Sequence, residues 1–273
     1  MPQLSFISCH VRSSWLGSKI VNHLSLSVEN LFKYVAYISI MVTCPGCGND
    51  YVRLGSHWNA YEDHRPNYSD KQKDILTGLL MSDAWLRTDR LNNRLCLEMI
   101  NKEYLEYLDS FFGVLSTGVR LKETAEKSAK KARMSGFRPN ASPDNYHDVY
   151  QWQVRSHPEL EEYGRWYKSG KKIWPKNIEL TAEVLKSLYV GDGTYNCKNR
   201  QLSIALDKES ENKYKVASYF LNTGLPEPKW SEPRGESGRK MCRIYWSCSD
   251  ADELFKYMGS PPPGFGYKWP DHI

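Results

Sequence analysis

The sequence lacks an apolar run long enough to cross a bilayer. Its most apolar window, residues 31–42, contains Lys33 and falls short of the roughly 20 residues that a membrane-spanning helix needs. The basic start, apolar stretch and small-residue cleavage site of a secretory signal are also missing. These absences argue against a membrane partner, and we expect an intracellular, cytoplasmic protein.

The sequence also gives no indication of disulfide bonds and has only a small net charge. Its seven cysteines are an odd number and follow no secretory pattern, so a disulfide framework explains them poorly. The 37 Lys and Arg residues against 32 Asp and Glu residues give a net charge of +5, which is compatible with a polyanionic partner but does not identify one. Because 40% of the 273 residues are hydrophobic and 13% aromatic, we expect one large or two ordinary globular domains.

The chain divides into four segments by composition. Residues 1–40 contain few charges and no motif, and they form an N-terminal extension of unknown role. Residues 41–67 are rich in Cys, His and aromatic side chains, as in a small zinc-finger-like element. Residues 68–178 and 179–273 each read as helices alternating with short strands, with a basic connector near residues 168–178. This repetition predicts a tandem α/β duplication.

Caps and periodicity predict the main elements of the two halves. Ser69 and Gln72 form a capping-box pattern before a helix expected over residues 70–83, and Thr181 is the expected cap of its counterpart. An amphipathic helix is expected over residues 103–112. Short runs that alternate between polar and apolar residues predict strands with one face of each kind. These runs cover residues 94–99, 151–155, 201–206 and 243–248.

Two nine-residue segments within the predicted helices align with each other. Residues 76–84 read Leu-Thr-Gly-Leu-Leu-Met-Ser-Asp-Ala, and residues 185–193 read Leu-Lys-Ser-Leu-Tyr-Val-Gly-Asp-Gly. In both segments small residues lie four positions apart, on one helix face, which allows two backbones to approach closely. We therefore predict that the two helices pack against each other along this face.

Such packing would bring Asp83 and Asp192 side by side at the C-terminal ends of the helices. Each carboxylate would be repelled by the negative end of the helix dipole and by the other acid, at a cost on the order of 1 kcal/mol or more. A divalent cation between them removes the conflict, and oxygen ligands suit Mg²⁺. This arrangement is suited to in-line attack of water on a phosphodiester. A lone Asp after a helix is more often a solvated turn residue, so it is the doubling that favours catalysis.

The paired segments resemble the signature helices of LAGLIDADG homing endonucleases in their single-chain, two-motif form, from about Ser69 to the C-terminus. The resemblance implies an α/β fold of tandem pseudo-twofold αββαββα repeats with saddle-shaped antiparallel sheets. It also implies a monomer that cuts both strands of a long double-stranded DNA site with Mg²⁺ and leaves short 3′ overhangs. The final acid of each motif binds the catalytic metals in that family, which points to Asp83 and Asp192, with the carbonyls of Ser82 and Gly191 as auxiliary ligands.

The chain departs from the family pattern at three motif positions. Ala84 replaces the terminal glycine of the first motif, while Met81 and Val190 replace its inner acid, a position that commonly varies. The paired final acids are intact, and a non-cleaving RNA maturase or DNA-binding regulator on the same scaffold would not need them. That function stays open as the alternative. An intron, an intein and a free-standing gene are all compatible with the sequence.

The family also uses a lysine from each half to organise water near the cleaved phosphates. Residues 167–175 resemble the family's segment before the second motif, which points to Lys172 or its neighbour Lys171. Residues 266–270 look similar and point to Lys268. Lysine suits this role chemically, because a cation near the scissile phosphate stabilises developing negative charge.

A curved antiparallel sheet can enter the major groove and direct alternate polar side chains at base edges. For each residue taken singly, an ordinary solvated sheet face is an equally good explanation. The candidates are Arg94, Glu98, Arg120, Lys122, Gln151, Gln153, Arg155, Gln201, Ser203, Arg243 and Tyr245. Two basic runs in predicted loops would suit phosphate contacts. They are Lys127, Lys130, Lys131 and Arg133 in the first half, and Arg234, Arg239 and Lys240 in the second.

The N-terminal element has the residues of a zinc site with the spacing C-x2-C-x9-H-x6-H, which approximates a zinc finger. Its ligands would be Cys44, Cys47, His57 and His64. Tyr51 and Leu54 would form the small core of a module whose folding depends mainly on the metal. We expect a structural Zn²⁺ in a module that extends the DNA footprint, with a reduced Cys pair in a loop as the alternative. The other cysteines, which show no ligand spacing, are Cys9, Cys96, Cys197, Cys242 and Cys248.

Overall fold

The computed structural model describes residues 41–87, 93–136, 138–168, 171–206, 213–231 and 242–273. Two four-stranded antiparallel sheets pack one face each against helices around a shared hydrophobic core. The mixed α/β class with antiparallel sheets that we predicted from the sequence is therefore confirmed. Among these residues no helix combines the length and the apolar character needed to span a membrane.

A small module precedes the two halves. It consists of strands β1 (Val42–Thr43) and β2 (Asp50–Tyr51), which pair antiparallel, and helix α1 (Leu54–Ala60). The turn between the strands carries Cys44 and Cys47, and Gly48 in this turn has a φ of 73°, which glycine adopts at little cost. Trp58 of α1 is fully buried and belongs to the same hydrophobic core as the two halves.

The first half begins with the first motif helix. Its elements are α2 (Asp70–Met81), β3 (Trp85–Arg87), β4 (Arg94–Met99), α3 (Lys102–Phe112), β5 (Ser116–Glu123), α4 (Ala125–Met134), β6 (Val149–Val154), α5 (Glu161–Gly164), β7 (Tyr167–Lys168) and β8 (Lys171–Lys172). Strands β3 to β6 form one sheet in the order β3-β4-β6-β5, and all neighbours are antiparallel. Strands β7 and β8 form a separate two-stranded ribbon.

The second half repeats this plan. Its elements are α6 (Ala182–Asp192), β9 (Gly193–Asn196), β10 (Gln201–Ala205), α7 (Lys213–Asn222), β11 (Lys229–Ser231), β12 (Arg243–Ser247) and α8 (Ser249–Met258). The strand order β9-β10-β12-β11 equals that of the first sheet. Apart from the additional helix α4 between β5 and β6 and the ribbon β7–β8 after α5, both halves follow the order αββαββα, as a tandem duplication predicts.

Helix α2 begins where the sequence predicts and ends earlier. Ser69 accepts a hydrogen bond from the Gln72 backbone N–H at 3.3 Å, and the Gln72 side chain accepts one from the Ser69 backbone N–H at 2.9 Å, which completes the capping box. At the other end the Ser82 hydroxyl donates to two carbonyls of the last turn, including that of Gly78 at 3.2 Å. Asp83 therefore lies in the turn after the helix, whereas we predicted it inside.

Helices α2 and α6 approach as closely as the small residues of the two motifs allow. A Cβ atom added to Gly78 would stand 2.2 Å from the Val184 carbonyl oxygen and 2.6 Å from Ser187 Cβ. One added to Gly191 would stand 2.6 Å from Ser82 Cβ. The aligned small residues thus face each other across the helix pair, which we call the seam.

Each sheet has a tryptophan on its inward face. Trp152 of β6 and Trp246 of β12 are buried, and each indole N–H has a hydrogen-bond acceptor, as buried tryptophan usually requires. The acceptors are Ser116 Oγ and the Pro226 carbonyl, both at 2.8 Å. The predicted division of the strands into an apolar and a polar face is confirmed at these positions.

The basic run at residues 127–133 lies on a helix, so the predicted loop is wrong there. Thr124 caps α4 by accepting a hydrogen bond from the Lys127 N–H at 3.3 Å, and Ala129 is fully buried. Alanine and lysine have high helix propensity, a signal that the charge pattern obscured. The second basic run, Arg234, Arg239 and Lys240, lies outside the described residues.

Replacing Gly78 with alanine tests the seam. Alanine favours an isolated helix by about 1 kcal/mol over glycine, but here its methyl group would collide with a backbone carbonyl of α6. We expect Gly78→Ala to lower the free energy of unfolding by about 1–3 kcal/mol, as measured by urea denaturation. Gly55→Ala on α1 is the matched control, because nothing lies within 4 Å of its added Cβ. A Gly78→Ala protein as stable as the unmodified one would contradict the helix contact.

Candidate active site

The two motif acids lie at the end of the helix pair. Asp83 is exposed in the turn after α2, and Asp192 is the last residue of α6 and half-buried. A Cβ added to Gly191 would stand 3.3 Å from Asp83 Oδ2, so the carboxylate of the first half reaches the backbone of the second. Both acids also act electrostatically on Lys268. The structure therefore brings the two acids to one location.

Lys172 at the end of β8 reaches the turn that carries Asp83. Its Nζ donates hydrogen bonds to the Ser82 carbonyl at 2.7 Å and to the Ala84 carbonyl at 2.9 Å. These carbonyls flank Asp83 in sequence, so the ammonium lies beside the first acid. Of the two lysines that the sequence left open, the described side chain of Lys172 lies here. The side chain of Lys171 lies outside the described part of the chain.

Lys268 approaches the second motif from the C-terminal segment. Its Nζ donates a hydrogen bond to the Val190 carbonyl at 2.7 Å and lies 5.3 Å from the ring centre of Phe265. The Tyr189 hydroxyl donates to the Lys268 carbonyl at 2.8 Å, which fixes the backbone of this segment. Burial lowers the pKa of Lys268, and the negative charges of the two acids act in the opposite direction.

The two lysines are therefore not symmetric copies of each other. Lys172 binds the carbonyls directly before and after Asp83, whereas Lys268 binds a carbonyl two positions before Asp192. Lys268 also packs among aromatic rings, and Lys172 sits on a short ribbon. The two halves present their acids in different surroundings despite the shared fold.

The donor set at this location fits a hard divalent cation. Two carboxylates, with the carbonyls of Ser82 and Gly191 next to them in sequence, offer oxygen ligands only, as Mg²⁺ prefers. The Ser82 carbonyl accepts from Lys172 and retains a second lone pair for a metal. The exposure of Asp83 leaves room for water and for a phosphate.

Six of the seven candidate DNA-contacting residues of the first half form one hydrogen-bonded network on the outer face of its sheet. They are Arg94, Glu98, Arg120, Lys122, Gln151 and Gln153. Gln151 is the buried centre, and it accepts from Arg120 Nε at 3.0 Å and donates to Glu98. The network holds the side chains of Arg120 and Lys122 at the exposed surface.

Arg155 is the exception in the first half. Its Nε donates to the Val114 carbonyl at 2.8 Å, and its backbone N–H donates to the Leu115 carbonyl at 2.7 Å. Burial, with a smaller effect from the nearby charge of Arg94, lowers the pKa of its guanidinium. One donor of this side chain is therefore already used within the protein.

The second sheet carries a smaller polar set on its outer face. Ser203 of β10 pairs with Tyr245 of β12, and Gln201 and Arg243 lie on the same face because side chains alternate along a strand. The intervening residues are buried in the core. These are Leu202, Ile204, Ile244 and Trp246. The four predicted residues thus share one surface.

Sequence reasoning missed three exposed polar residues on this face. They are Thr194, Asn196 and Lys229. The first two lie on β9 and face Ser203 and Gln201, and the third lies on β11 and faces Tyr245. Both strands are short, so their alternation covers too few residues to stand out, although β9 directly follows the second motif.

The four predicted metal ligands of the N-terminal module come together. The sulfur atoms of Cys44 and Cys47 and one ring nitrogen each of His57 and His64 lie within 4.8 Å of one another. Cys47 Sγ is 3.6 Å from His57 Nε2, which is 3.1 Å from His64 Nδ1. Two thiols and two imidazoles at these distances can bind a metal ion, and this ligand set is typical of structural zinc.

The surroundings of this cluster favour metal binding. A Cβ added to Gly46 would stand 2.6 Å from His64 Cβ, so only glycine lets the Cys turn approach the histidine. Burial alone would raise the pKa of the Cys44 thiol, but N–H groups of Cys47, Gly46 and the Trp58 indole lower it overall. The thiolate is the form that binds metals.

The fold is similar to that of a solved structure. A solved structure, the homing endonuclease I-WcaI bound to its DNA recognition sequence, matches with a TM-score of 0.59 and 18% sequence identity over 77% of this chain and 90% of that one. The N-terminal LAGLIDADG domain of DUF199/WhiA matches with a TM-score of 0.40 and 10% identity over 71% of this chain and 84% of that one. No curated protein matches the sequence.

A sequence family matches the region that carries both motifs. At 18% identity, the likeness to I-WcaI establishes a shared fold. Residues 73–225 match the LAGLIDADG DNA endonuclease family, and this region is more than half of the chain and contains both motif acids with Lys172. The chain therefore belongs to the LAGLIDADG DNA endonuclease family.

Proposed function

We propose that this protein is a homing endonuclease that hydrolyses phosphodiester bonds in both strands of a long double-stranded DNA site with Mg²⁺ and leaves short 3′ overhangs. The observation that carries the proposal is the convergence of Asp83 and Asp192 at the ends of two abutting helices. Packing alone gives no reason to place two carboxylates where both helix dipoles are negative. A catalytic role accounts for this unfavourable placement.

The residues at the seam divide the catalytic work. Asp83 and Asp192, with the carbonyls of Ser82 and Gly191, would hold the Mg²⁺. When bound, the metal supplies Lewis-acid stabilisation of phosphate oxygens and a more acidic water. Lys172 and Lys268 hold ammonium groups beside the acids, where they orient water and stabilise negative charge that develops on the phosphate.

The outer faces of the two sheets supply the surface for the duplex. Arg side chains in the first network suit bidentate contacts to guanine, while the buried Gln151 and Gln153 hold them in place and do not reach a base. The polar residues of β9, β10, β11 and β12 extend the surface into the second half. The similar fold of I-WcaI, which is bound to its DNA recognition sequence, supports this use. Because one chain provides both acids, a monomer suffices for two cuts.

Two further features belong to the proposal. Cys44, Cys47, His57 and His64 bind a structural Zn²⁺. The protein acts on DNA inside the cell, and its gene is a mobile element in an intron or an intein, or a free-standing gene. The DNA on either side of the reading frame distinguishes these two origins from a free-standing gene.

Replacing either motif acid tests the catalytic assignment. Because an amide is a weaker metal ligand than a carboxylate, we expect Asp83→Asn and Asp192→Asn each to slow cleavage of one strand by about 100-fold or more while DNA binding persists. The assay follows conversion of a supercoiled plasmid, carrying the uninterrupted form of the gene's insertion locus, to nicked and linear forms with Mg²⁺. EDTA should abolish both products.

Asp70→Asn is the matched control for these variants, because Asp70 is an exposed acid at the opposite end of α2. It should cut like the unmodified protein. If the unmodified protein binds this plasmid without nicking it, the nuclease assignment fails. That outcome favours a non-cleaving RNA maturase or DNA-binding regulator on the same scaffold.

Removing either lysine charge should affect the chemical step more than binding. We expect Lys172→Met and Lys268→Met to lower the single-turnover cleavage rate by about 100-fold, because the phosphate loses a nearby cation. Gel-shift affinity should change little, and the arginine variants should recover part of the rate. Lys176→Met, on the exposed connector, serves as control. Loss of affinity with an unchanged cleavage rate would assign these lysines to DNA binding instead.

Arg120→Ala tests base readout by the first sheet. If Arg120 contacts a base edge, the variant should bind the cognate duplex more weakly by about 1–3 kcal/mol and tolerate substitutions at one base pair. Competition against point-substituted duplexes measures both effects. The exposed Lys130 of α4 provides the comparison, since Lys130→Ala should weaken all duplexes equally or none. An Arg120→Ala protein with unchanged discrimination would remove this residue from the readout surface.

A further inference from the structure

We propose that the N-terminal module, residues 41–67, is a zinc-held brace that fixes the start of α2 to the rest of the first half, and that it does not read DNA. The proposal rests on the structural Zn²⁺ of the proposed function and adds what that metal does for the fold. Four observations on the described residues lead to it. They concern the module's interior, its exit, its attachment and its charge.

The interior of the module depends on its four ligands. Segments shorter than about 40 residues usually need a metal, a disulfide or a partner to fold, and residues 41–67 are such a segment. Cys44 and Cys47 come from the β1–β2 turn, His57 comes from α1, and His64 follows that helix. A bound Zn²⁺ therefore ties the beginning, middle and end of the module together.

The residue after the last ligand fastens the exit of the module. Arg65 Nη2 donates to the Trp58 carbonyl at 2.9 Å and to Asn59 Oδ1 at 3.3 Å. Both acceptors belong to the last turns of α1, where the helix dipole favours a cation. The side chain of Arg65 is thus directed back into the module.

The next residues are attached to the segment that follows β6. The Pro66 carbonyl lies 3.2 Å from His157 Nε2, and the Tyr68 N–H donates to Glu159 Oε1 at 3.1 Å. His157 Nδ1 accepts from the Glu159 N–H at 3.2 Å, so the proton of the neutral ring is on Nε2, which donates to Pro66. Burial lowers the pKa of His157 and maintains this neutral form.

These contacts continue directly into the motif helix. The Tyr68 ring packs on the His157 ring with 4.7 Å between centres, and the Glu159 carboxylate lies 2.6 Å from Lys73 Nζ on α2. Ser69, the next residue along the chain, caps α2. An unbroken series of contacts therefore joins the metal ligands to the helix that precedes the first motif acid.

The charge and position of the module do not suit DNA. Its charged residues, apart from the ligands, are Asp50, Arg53, Glu62, Asp63 and Arg65. The acids outnumber the arginines, and the side chain of Arg65 is bound within the module. Two thiolates would neutralise the charge of Zn²⁺. DNA-binding segments, in contrast, carry excess positive charge. The module joins the N-terminal end of the 12-residue helix α2, about 18 Å along the helix from the Asp83 turn.

Zinc removal from the full-length chain tests the brace. We expect one Zn²⁺ per chain by elemental analysis. Chelation under reducing conditions should lower Tm by at least about 4 °C and accelerate amide hydrogen exchange in the first turns of α2. Cys47→Ser should reproduce both effects. Cys197→Ser, which changes an exposed cysteine outside the module, should reproduce neither.

A variant of His157 separates metal binding from bracing. His157→Phe keeps an aromatic ring beside Tyr68 but removes the hydrogen bond to Pro66, so it should retain Zn²⁺ while chelation no longer changes exchange in α2. Glu159→Gln, which removes the ion pair to Lys73, serves as a second variant if His157→Phe does not fold. It should reduce the effect of chelation on α2 by at least half.

If the module is a brace that does not contact DNA, loss of its zinc should leave the DNA footprint of the protein unchanged. On the insertion-locus duplex, the hydroxyl-radical footprint of Asp83→Asn should keep its length when Cys47→Ser is added at a temperature where both fold. A shortened footprint would overturn the proposal in favour of a DNA-reading finger. The proposal would also be overturned if the chain contained no Zn²⁺, or if zinc removal changed neither Tm nor hydrogen exchange. The zinc and exchange measurements need no DNA, so they decide the brace even if the nuclease proposal fails.

Discussion

The close approach of α2 and α6 determines where every catalytic group of this protein can lie. Gly78 against Ser187 and Ser82 against Gly191 leave no room for larger side chains, and this contact brings the last turns of both helices together. Asp83 belongs to one half and lies against the backbone of the other. The acids are therefore close to each other only in a chain whose two halves are docked. Docking in turn requires small side chains at the seam, because larger ones would keep the two helices apart.

Much of this arrangement could be predicted from the sequence, because the signals that produce it are local. The cap at Ser69 and the alternation along the strands follow from hydrogen-bonding groups and side-chain periodicity within a few residues. The register of the two nonapeptides predicted that the helix faces with the small residues pack together, and the structure shows which of them meet. The spacing of Cys44, Cys47, His57 and His64 likewise identified ligands that the fold brings within 4.8 Å.

The remaining features depend on contacts that no local pattern reports. Lys172 and Lys268 bind carbonyls at different positions relative to the acids, because one lies on the ribbon and the other on the C-terminal segment. Arg155 continues the alternation of polar and apolar residues in β6, yet its guanidinium donates a hydrogen bond to the Val114 carbonyl. The attachment of Pro66 and Tyr68 to residues 157–159 joins positions some 90 apart in sequence, which is beyond the range of any motif.

The two sheets share a strand order but not a surface. The first outer face is built on charged side chains held by buried glutamines, while the second carries hydroxyls and amides with two basic residues, Lys229 on the edge strand β11 and Arg243 on the inner strand β12. Since the seam and the inward-facing tryptophans set the fold, these outer faces are free to diverge. A duplex that lies across both would meet two unlike surfaces, and a sequence that they recognise together has no reason to be palindromic.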